Sequence, residues 1–435
     1  MSSNRKLAAA PKQFSLDRRG TIQLALAFAG TQFLFAKQLA AATRIFVNIT
    51  SSTYGGVGNG TTDNTAAFNA AFTAIGAAGG GALYIPPGTY LITGSISYTG
   101  NGPITIYGDG QNVSIISIAP SMGIATAVNI APSGPYSPVT IRELSFQPNS
   151  GITTLTNCTA LAVSYSSPDL FNHLTIDNCD FNPTNELGFQ TALALTNVNA
   201  STIRDVLYHA NSSVTFATLS SCIDVRFNNL DVSNSAGIGI QADSYSQGLY
   251  ISNSVFNGCA NAVNTVSGGG AGLLGLFIDG SVMQSSGGPC LNLNQTTSGY
   301  ITNTAFDSPN YNNVINLSNC NEIQINGCSI NGAFNTLSGA NGVNIGGTGN
   351  SVNNCSFTNL SVGVALESGA TANTGRGIRM FQLGASVLIG APVVQSGTTC
   401  YAIVDLSGNI TNFFEWLGPN DTSLYTTKRN YYSQP

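Results

Sequence analysis

The sequence predicts an all-β solenoid, a chain wound into successive coils of short strands. Three observations predict it: a short strand pattern that recurs at intervals in the twenties, a low charge and abundant glycine. Of the 435 residues, 8% are charged, 43% are hydrophobic and 49 are glycine. Coiled coils and helical repeats need abundant Ala, Glu, Lys, Leu and Arg, and disordered chains combine high charge with few apolar residues. The composition therefore excludes these classes.

Residues 1–42 are predicted to be an export signal of the twin-arginine type. Arg18-Arg19 precedes the apolar stretch Thr21–Ala36, and Ala40–Ala42 supplies the small residues that a signal peptidase requires. We therefore expect cleavage near Ala42 and a bacterial protein that is secreted, periplasmic or on the cell surface. The apolar run is short for a transmembrane helix, so no stable membrane insertion is expected. The alternatives are an uncleaved anchor and an arm that attaches a phage spike to its particle.

Residues 43–110 are predicted to form an N-terminal cap and the first coils. Asp63 or Asn64 can accept hydrogen bonds from the free N–H groups of a helix start. Three glycines from Gly79 end this helix, and Pro86-Pro87-Gly88 turns the chain between two short strands. One apolar stripe at spacing i, i+3, i+4, i+7 gives the helix a buried side. The stripe consists of Phe68, Ala71, Phe72 and Ile75.

The order of these elements is that of a known family. Gly58–Phe68 reads GNGTTDNTAAF, and Gly79–Tyr90 reads GGGALYIPPGTY. This stretch, roughly Tyr54 to Asp109, resembles the opening of the pectate lyase superfamily domain of the rhamnogalacturonase/epimerase-like type. The resemblance implies a right-handed parallel β-helix whose N-terminal end is plugged by a short helix. Asn59 and Asn64 stand where the family usually has Asp, and the motif residues are structural, so the resemblance assigns no catalytic residue.

Residues 111–366 repeat one six-residue unit, with an aliphatic residue first and a large apolar residue sixth. The third residue is Asn, Asp or Gly in seven of nine units, and these types tolerate the left-handed backbone of a sharp turn. Periods in the twenties with one short strand each indicate coils that bury apolar side chains against their neighbours. The units are Ile141–Phe146, Ile176–Phe181, Ile203–Tyr208, Val225–Leu230, Ile251–Phe256, Ile278–Met283, Ile301–Phe306, Ile325–Ile330 and Val352–Phe357.

The nine cysteines are scattered without a CxxC pair, which argues against a zinc site. Cys328 and Cys355 share one place on adjacent coils, where a strand spacing of about 4.8 Å allows a disulfide. Buried free thiols are the favoured interpretation. Residues 367–435 are predicted to be a small C-terminal β cap or an oligomer contact, and a homotrimer is a candidate assembly.

The second residue of each unit should point outward, because side chains alternate along a strand. All three arginines between Arg44 and Arg376 stand in this column, as Arg142, Arg204 and Arg226. Asp177 stands between the first two, so a charge ladder is one interpretation. Arg204 and Arg226 are expected to be stacked like charges, which favours an anionic ligand.

The outer face of coils two to six is the predicted groove, and two reactions suit it. A hydrolase needs an acid and a base or nucleophile, with carboxyl groups about 5 Å apart for retention or 6.5–9.5 Å for inversion. A lyase neutralises a uronate carboxylate and removes the adjacent proton, sometimes with Ca²⁺. No other cofactor and no metal ligands are predicted. The candidate catalytic residues are Asp205, Asp231, Asp180 and His209. The candidate substrate-binding residues are Arg204, Arg226, Asp177, Tyr208, Tyr245 and Tyr250.

The sequence thus predicts a secreted carbohydrate-active protein that binds and cleaves a polysaccharide, as a glycosidase or a polysaccharide lyase. The alternative is a non-catalytic glycan-binding adhesin or a structural protein similar to a phage tailspike. Beyond residue 37 the chain has 8 basic and 18 acidic residues. A body this acidic offers no basic face for a phosphate backbone, so nucleic acid is not an expected partner.

Overall fold

The fold is a parallel β-solenoid, seen in a computed structural model. The structure describes residues 44–381 apart from short loop segments, together with residues 391–395 and 414–417. The described residues from Ile45 onward belong to one compact unit. The export-signal prediction for residues 1–42 lies outside the described residues. The segments left out within 44–381 are 120–125, 135, 150–154, 168–171, 182–187, 211–213, 235–236, 244, 267–271, 309–311, 333–340, 361, 368–369 and 371–372.

One helix, α1 (Thr65–Ala77), and 33 strands make up the described secondary structure. The strands are β1 Ile45–Asn48, β2 Asn59–Asp63, β3 Gly81–Tyr84, β4 Gly88–Ile92, β5 Ile96–Tyr98, β6 Ile104–Tyr107, β7 Ser114–Ile118, β8 Thr126–Ile130, β9 Val139–Pro148, β10 Leu155–Ser164, β11 Leu174–Asp180, β12 Phe189–Thr196, β13 Asn199–Ala210, β14 Thr215–Ser220, β15 Ile223–Asn234, β16 Ile238–Asp243 and β17 Gln247–Ser252. They continue as β18 Val255–Cys259, β19 Asn261–Val266, β20 Leu274–Asp279, β21 Val282–Ser285, β22 Leu291–Asn294, β23 Thr297–Thr302, β24 Ala305–Asp307, β25 Asn313–Asn326, β26 Ser329–Asn331, β27 Asn341–Thr348, β28 Ser351–Asn353, β29 Ser356–Thr358, β30 Val362–Leu366, β31 Thr374–Phe381, β32 Ala391–Gln395 and β33 Phe414–Leu417.

The strands stack into three faces, and each strand pairs in parallel with strands of the coils before and after it. Face A runs through β1, β3, β6, β17, β20, β23 and β28, with the first parts of β9, β11, β13, β15 and β31 and the last part of β25. Face B runs through β2, β4, β7, β18, β21, β24, β26 and β29, with the second parts of β9, β11, β13, β15 and β31. Face C runs through β5, β8, β10, β12, β14, β16, β19, β22, β27, β30 and β32, with the first part of β25. Only β31 and β33, among the described strands, pair antiparallel.

The corner between faces A and B is built by the third residue of each repeat. Asn178, Asp205 and Asn253, for example, have φ values of 50°, 54° and 50°. A single left-handed residue bends the strand and resets its alternation, so the fourth and sixth residues point inward like the first. The first places form one buried column in register, which begins with Ile141, Ile176 and Ile203. The predicted repeat and its left-handed corner are confirmed.

Helix α1 buries the predicted stripe. Phe68 and Phe72 contact Tyr90 and Tyr98, with ring centroids 6.2 and 6.0 Å apart. Of the two candidate acceptors at the helix start, Asp63 accepts a hydrogen bond from the backbone N–H of Thr65. Asn64 makes no cap hydrogen bond, because its side chain bonds the backbone of a neighbouring loop.

Asp63 also makes the start of the helix sensitive to acid. Burial raises the pKa of this carboxyl, but hydrogen bonds from Thr65 and Thr93 outweigh burial and lower the pKa from 3.8 to about 2. A lowered pKa stabilises the fold above pH 3.8, and the contribution disappears as the pH falls through 2.

We expect Asp63→Asn to lower the free energy of unfolding at pH 7 by about 1 kcal/mol, since solvent exposure screens part of the effect. Denaturant titrations of both proteins at several pH values measure this difference. The two curves should converge near pH 2. A difference that grows as the pH falls would contradict the assignment.

The eight described cysteines are buried free thiols, as predicted. Burial raises the pKa of Cys179 and Cys222 to about 12, so these thiols are unreactive at neutral pH. Cys328 and Cys355 contact each other, and this contact together with burial raises the pKa of Cys355. Cys400 lies outside the described residues, as do Tyr401–Asp405 of the predicted C-terminal cap.

Candidate functional site

Two columns of outward side chains run along face A. Column 1 holds the second residue of each repeat, and column 2 holds the residue that precedes each repeat. Column 1 reads Tyr84, Tyr107, Arg142, Asp177, Arg204, Asn228, Ser252, Asp279, Thr302, Asn326 and Asn353. Column 2 reads Thr105, Thr140, Thr175, Thr202, Arg226, Tyr250, Phe277, Tyr300, Gln324 and Ser351.

The prediction that Arg204 and Arg226 are stacked like charges is wrong. Arg204 pairs with Asn228, and Arg226 pairs with Thr202 of the preceding coil. The fourth repeat begins at Phe227, two residues later than the pattern suggested, because Phe227 is the residue in register with Ile203. The first place normally holds an aliphatic residue, but here it holds Phe227, and the buried Val225 lies two residues before it. The sequence pattern therefore fits a repeat that begins at either residue.

Arg204 forms an ion pair with Asp177 of the preceding coil. Its Nε and Nη2 atoms donate to the two carboxylate oxygens at 3.0 and 2.7 Å. The hydrogen bond to Asp177 raises the pKa of Arg204 above its ordinary value. Arg142 is in register on the other side of Asp177, so the three residues form the charge ladder that the sequence allowed. Because both carboxylate oxygens bind Arg204, Asp177 mainly orients this arginine.

Arg226 has a different environment. Its guanidinium lies 4.8 Å from the centre of the Tyr250 ring. Tyr250 stacks on Phe277 at 4.6 Å with an interplanar angle of 9°, and Phe277 stacks on Tyr300 at 6.0 Å. In the part of the chain that the structure describes, Arg226 forms no ion pair. The stack therefore holds an exposed guanidinium whose charge is available to an anion.

A cleft of about 610 Å³ lies along these two columns. Its walls include three residues predicted to bind substrate, namely Arg204, Arg226 and Tyr250. The remaining lining comes from Thr202, Asn228, Ile251, Ser252, Phe277, Ile278, Asp279, Tyr300 and Thr302. A second cleft of about 500 Å³ shares Tyr300 and Thr302 and extends along face A toward Thr374. The outer face of this sheet thus forms a continuous, mostly uncharged groove.

The predicted catalytic residues Asp205, Asp231 and His209 lie at or beyond the corner next to the cleft. Asp205 follows Arg204 at the left-handed corner, and its Oδ1 accepts a hydrogen bond from Asn229 at 2.6 Å. Asp231 and His209 lie on face B, with His209 Nε2 3.5 Å from Asp231 Oδ1. Both of these side chains are nearly half exposed. A carboxylate and an imidazole therefore stand together, one corner away from the N-terminal end of the cleft.

Three other predicted site residues are placed elsewhere. Asp180 is fully buried, and its Oδ2 accepts a hydrogen bond from Asn112 at 3.0 Å. Tyr208 is also fully buried, with its ring 5.3 Å from that of Phe216. It holds the sixth place of its repeat, which points into the core. Tyr245 is exposed, but it lies in the turn between faces C and A rather than in the cleft.

The buried position of the Tyr208 side chain can be tested by substitution. Its hydroxyl oxygen has no hydrogen-bond partner among the described residues, and burial raises its pKa strongly. An unpaired buried hydroxyl costs about 1–3 kcal/mol. We therefore expect Tyr208→Phe to leave the free energy of unfolding unchanged or to raise it by about 1 kcal/mol. Denaturant titration measures this change, and a clear loss of stability or of glycan binding would contradict the burial.

Sequence reasoning missed Phe277, Tyr300 and Asp279. The signal was present, because an aromatic residue immediately precedes the repeats that begin at Ile251, Ile278 and Ile301. Phe277 and Tyr300 lie in column 2, whereas the predicted groove rested on the second residues of the repeats, which form column 1. Asp279 is in that column, where it accepts hydrogen bonds from Thr302 and Asn303.

Neither a metal site nor a membrane helix emerges from the described residues. No three His, Cys, Asp or Glu side chains among them are grouped to hold a metal ion. Ca²⁺ for a lyase therefore stays a prediction without a site in this part of the chain. None of the helices described there has the length and apolarity to cross a membrane.

Solved structures share this fold at low sequence identity. The A-module of a mannuronan C-5 epimerase from Azotobacter vinelandii is 18% identical with a TM-score of 0.60, and the alignment covers 81% of this chain and 98% of that one. A DFA-IIIase from Arthrobacter chlorophenolicus A6, solved with DFA-III, is 13% identical with a TM-score of 0.54 over 81% and 92% of the two chains. These likenesses show the fold alone. No curated protein matches the sequence.

The family is shown by a sequence model. The model described as rhamnogalacturonase A/epimerase, pectate lyase-like, matches residues 46–268, which is half of the chain and includes the helix, the first coils and the N-terminal part of the cleft. The chain therefore belongs to the pectate lyase-like family of rhamnogalacturonase A and epimerases.

Proposed function

We propose that this protein binds an acidic polysaccharide in the cleft on face A and cleaves it near the N-terminal end of that cleft. The observation that carries the proposal is Arg226. It is an exposed guanidinium that lies over an aromatic stack and forms no ion pair with the residues that the structure describes.

The stack and the arginine suit complementary parts of a uronate residue. Aromatic ring edges carry partial positive charge that suits sugar oxygens, and a planar guanidinium binds a carboxylate through two parallel hydrogen bonds. Tyr250, Phe277 and Tyr300 cover one another's faces in the stack, so they offer their ring edges over three successive coils, and Tyr300 is half exposed. The side chains of Asn228, Ser252 and Thr302 line the same cleft and supply partners for sugar hydroxyl groups.

The chemistry is assigned to the corner next to Arg204. In hydrolysis, Asp205 and Asp231 act as the acid and base pair, one protonating the glycosidic oxygen and the other activating water or attacking the sugar. In elimination, an arginine neutralises the uronate carboxylate, and His209 removes the proton from C5, so that a C4=C5 double bond forms as the C4–O glycosidic bond breaks and the leaving oxygen takes a proton from solvent. His209 Nε2 lies 3.5 Å from Asp231 Oδ1 without a hydrogen bond, so Asp231 stands beside this base but does not fix its orientation.

A second candidate function is glycan binding without catalysis. The two aspartates of column 1 favour it, because both carboxylates are already engaged within the protein. Asp177 binds Arg204, and Asp279 accepts a hydrogen bond from Thr302. These two residues are four coils apart in register, about 19 Å at the usual strand spacing. They are too far apart to act as a hydrolytic pair.

The wider comparisons support a carbohydrate ligand. The fold is shared with the A-module of a mannuronan C-5 epimerase, a protein named for its action on mannuronan. The proposed export of this chain by residues 1–42 is consistent with an extracellular polymer. Assembly as a homotrimer is a separate proposal, and the binding cleft does not depend on it.

The experiment is product analysis of the purified protein with polygalacturonate, mannuronan and neutral pullulan. New reducing ends and the absorbance of unsaturated uronates are followed together. Reducing ends alone indicate hydrolysis, and Asp205→Asn and Asp231→Asn should each abolish them. Both signals indicate elimination, which His209→Ala should abolish. Binding without products supports the second candidate, and the absence of binding to both acidic polymers would overturn the proposal.

A further inference from the structure

A second aromatic stack lies on face A, toward its N-terminal end. The rings of Phe46 and Tyr84 are 6.2 Å apart, those of Tyr84 and Tyr107 are 5.2 Å apart, and both pairs are stacked. The guanidinium of Arg142 lies 5.0 Å from the centre of the Tyr107 ring. We call these four residues the N-terminal stack. It is separate from the cleft, whose lining begins at Thr202.

The N-terminal stack repeats the chemistry of the cleft. In each, an arginine closes the end of an aromatic stack that faces the middle of face A. Arg142 forms no ion pair with the residues that the structure describes, since both oxygens of neighbouring Asp177 bind Arg204. Phe46 is 62% exposed, and Tyr84 is fixed by a 2.6 Å hydrogen bond from its hydroxyl to Asp109. The stack is therefore ordered, partly exposed and positively charged at one end.

The stacks lie in neighbouring columns of face A, with Tyr84 and Tyr107 in column 1 and Tyr250, Phe277 and Tyr300 in column 2. Tyr107, Arg142, Asp177 and Arg204 are successive members of column 1, and Arg204 lines the cleft. Tyr107 and Tyr250 are five coils apart, about 24 Å at the usual strand spacing. Between them the described part of face A carries the threonines of column 2 and the side chains of Arg142, Asp177, Arg204 and Arg226, whose three guanidinium groups can face the carboxylates of an extended polymer.

We propose that the N-terminal stack is a second binding surface for the same acidic polysaccharide, so that the polymer lies lengthwise along face A and occupies both stacks. This inference rests on the proposed function of the cleft. It specifies the ligand as a chain long enough to span about 24 Å of the surface, since two linked contacts raise the affinity only when the ligand reaches both. A short oligosaccharide reaches only one of them.

The test compares a short ligand of three sugar units, trigalacturonate, with the polymer polygalacturonate. Binding of trigalacturonate and polygalacturonate is measured by calorimetry for the full chain, for Tyr107→Ala and for Tyr250→Ala. We expect Tyr107→Ala to weaken polymer binding about 10-fold and to leave trimer binding unchanged. Tyr250→Ala should weaken both. Tyr107→Phe keeps the ring and should bind as the wild type does, while circular dichroism verifies that every variant is folded.

The outcomes separate the two proposals. Unchanged polymer affinity in folded Tyr107→Ala overturns the second binding surface and leaves the cleft intact. Unchanged affinity of both ligands in Tyr250→Ala overturns the proposed function instead. Binding of trigalacturonate that depends on Tyr107 and not on Tyr250 would make the N-terminal stack the primary site, which contradicts both proposals.

Discussion

Replacing Phe216 with alanine is expected to lower the free energy of unfolding by about 3–5 kcal/mol, the usual cost of removing a large buried aromatic side chain. Phe216 on face C is fully buried between coils. Its ring contacts those of Phe181, Tyr208 and Phe227 at 6.3, 5.3 and 6.5 Å. Deleting it leaves a cavity that the rigid stack of coils cannot close. The shift of the denaturant midpoint measures the loss.

The matched control is Phe277→Ala, the same substitution on an outward position. Phe277 contacts Tyr250 and Tyr300 in the cleft but leaves the core intact. We expect it to cost about 1 kcal/mol of stability, the size of an aromatic pair contact, and to weaken glycan binding. Equal stability losses in the two variants would show that the alternation of inward and outward side chains is assigned wrongly.

Replacing Arg226 with alanine is expected to weaken binding of an acidic polysaccharide about 10- to 100-fold, because charge-assisted hydrogen bonds contribute about 1.5–3 kcal/mol. Arg226→Lys should recover part of the affinity, since it keeps the charge and loses the planar fork that stacks on Tyr250. Calorimetric titration with polygalacturonate measures all three proteins. Raising the salt concentration should weaken the wild type more than Arg226→Ala.

The control for net charge is Arg44→Ala. Arg44 is exposed and lies outside the cleft lining, so its loss changes the overall charge equally. It should leave the affinity within about twofold of the wild type, because exposed charges act weakly at a distance. An equal effect of both substitutions would mean that the polymer binds through the field of the whole protein and not through Arg226.

The sequence predicted the solenoid because its signals are local. Each repeat carries its own apolar first and sixth residues, and every corner except the one at Glu143 carries Asn, Asp or Gly, which tolerate positive φ. Glu143, Asn178 and Asn354 have φ values of 57°, 50° and 53°. Even the misplaced fourth repeat obeys the rule, since Asn229, its true third residue, has a φ of 53°.

The site was only partly predictable, because neighbours on face A come from different coils. A two-residue error in one repeat moved Arg226 into the wrong column and suggested a repulsion that the structure lacks. Burial of Asp180 depends on Asn112, which is 68 residues away in sequence. The side chain of Tyr208 was assigned to sugar stacking although its place in the repeat faces inward. Pairing between coils, which decides the placement of Arg226 and Asp180, is not encoded in any single repeat, whereas the inward direction of Tyr208 follows from its own repeat.

Recognition of polymer carboxylates by the cleft on face A can be measured by titrating the wild type and Arg226→Ala with polygalacturonate and with the same polymer after chemical reduction of its carboxyl groups. We expect the wild type to bind the native polymer at least 10-fold more tightly than the reduced polymer, and Arg226→Ala to lose most of this preference. Equal binding of both polymers by the wild type, or a preference that survives in Arg226→Ala, would contradict this recognition.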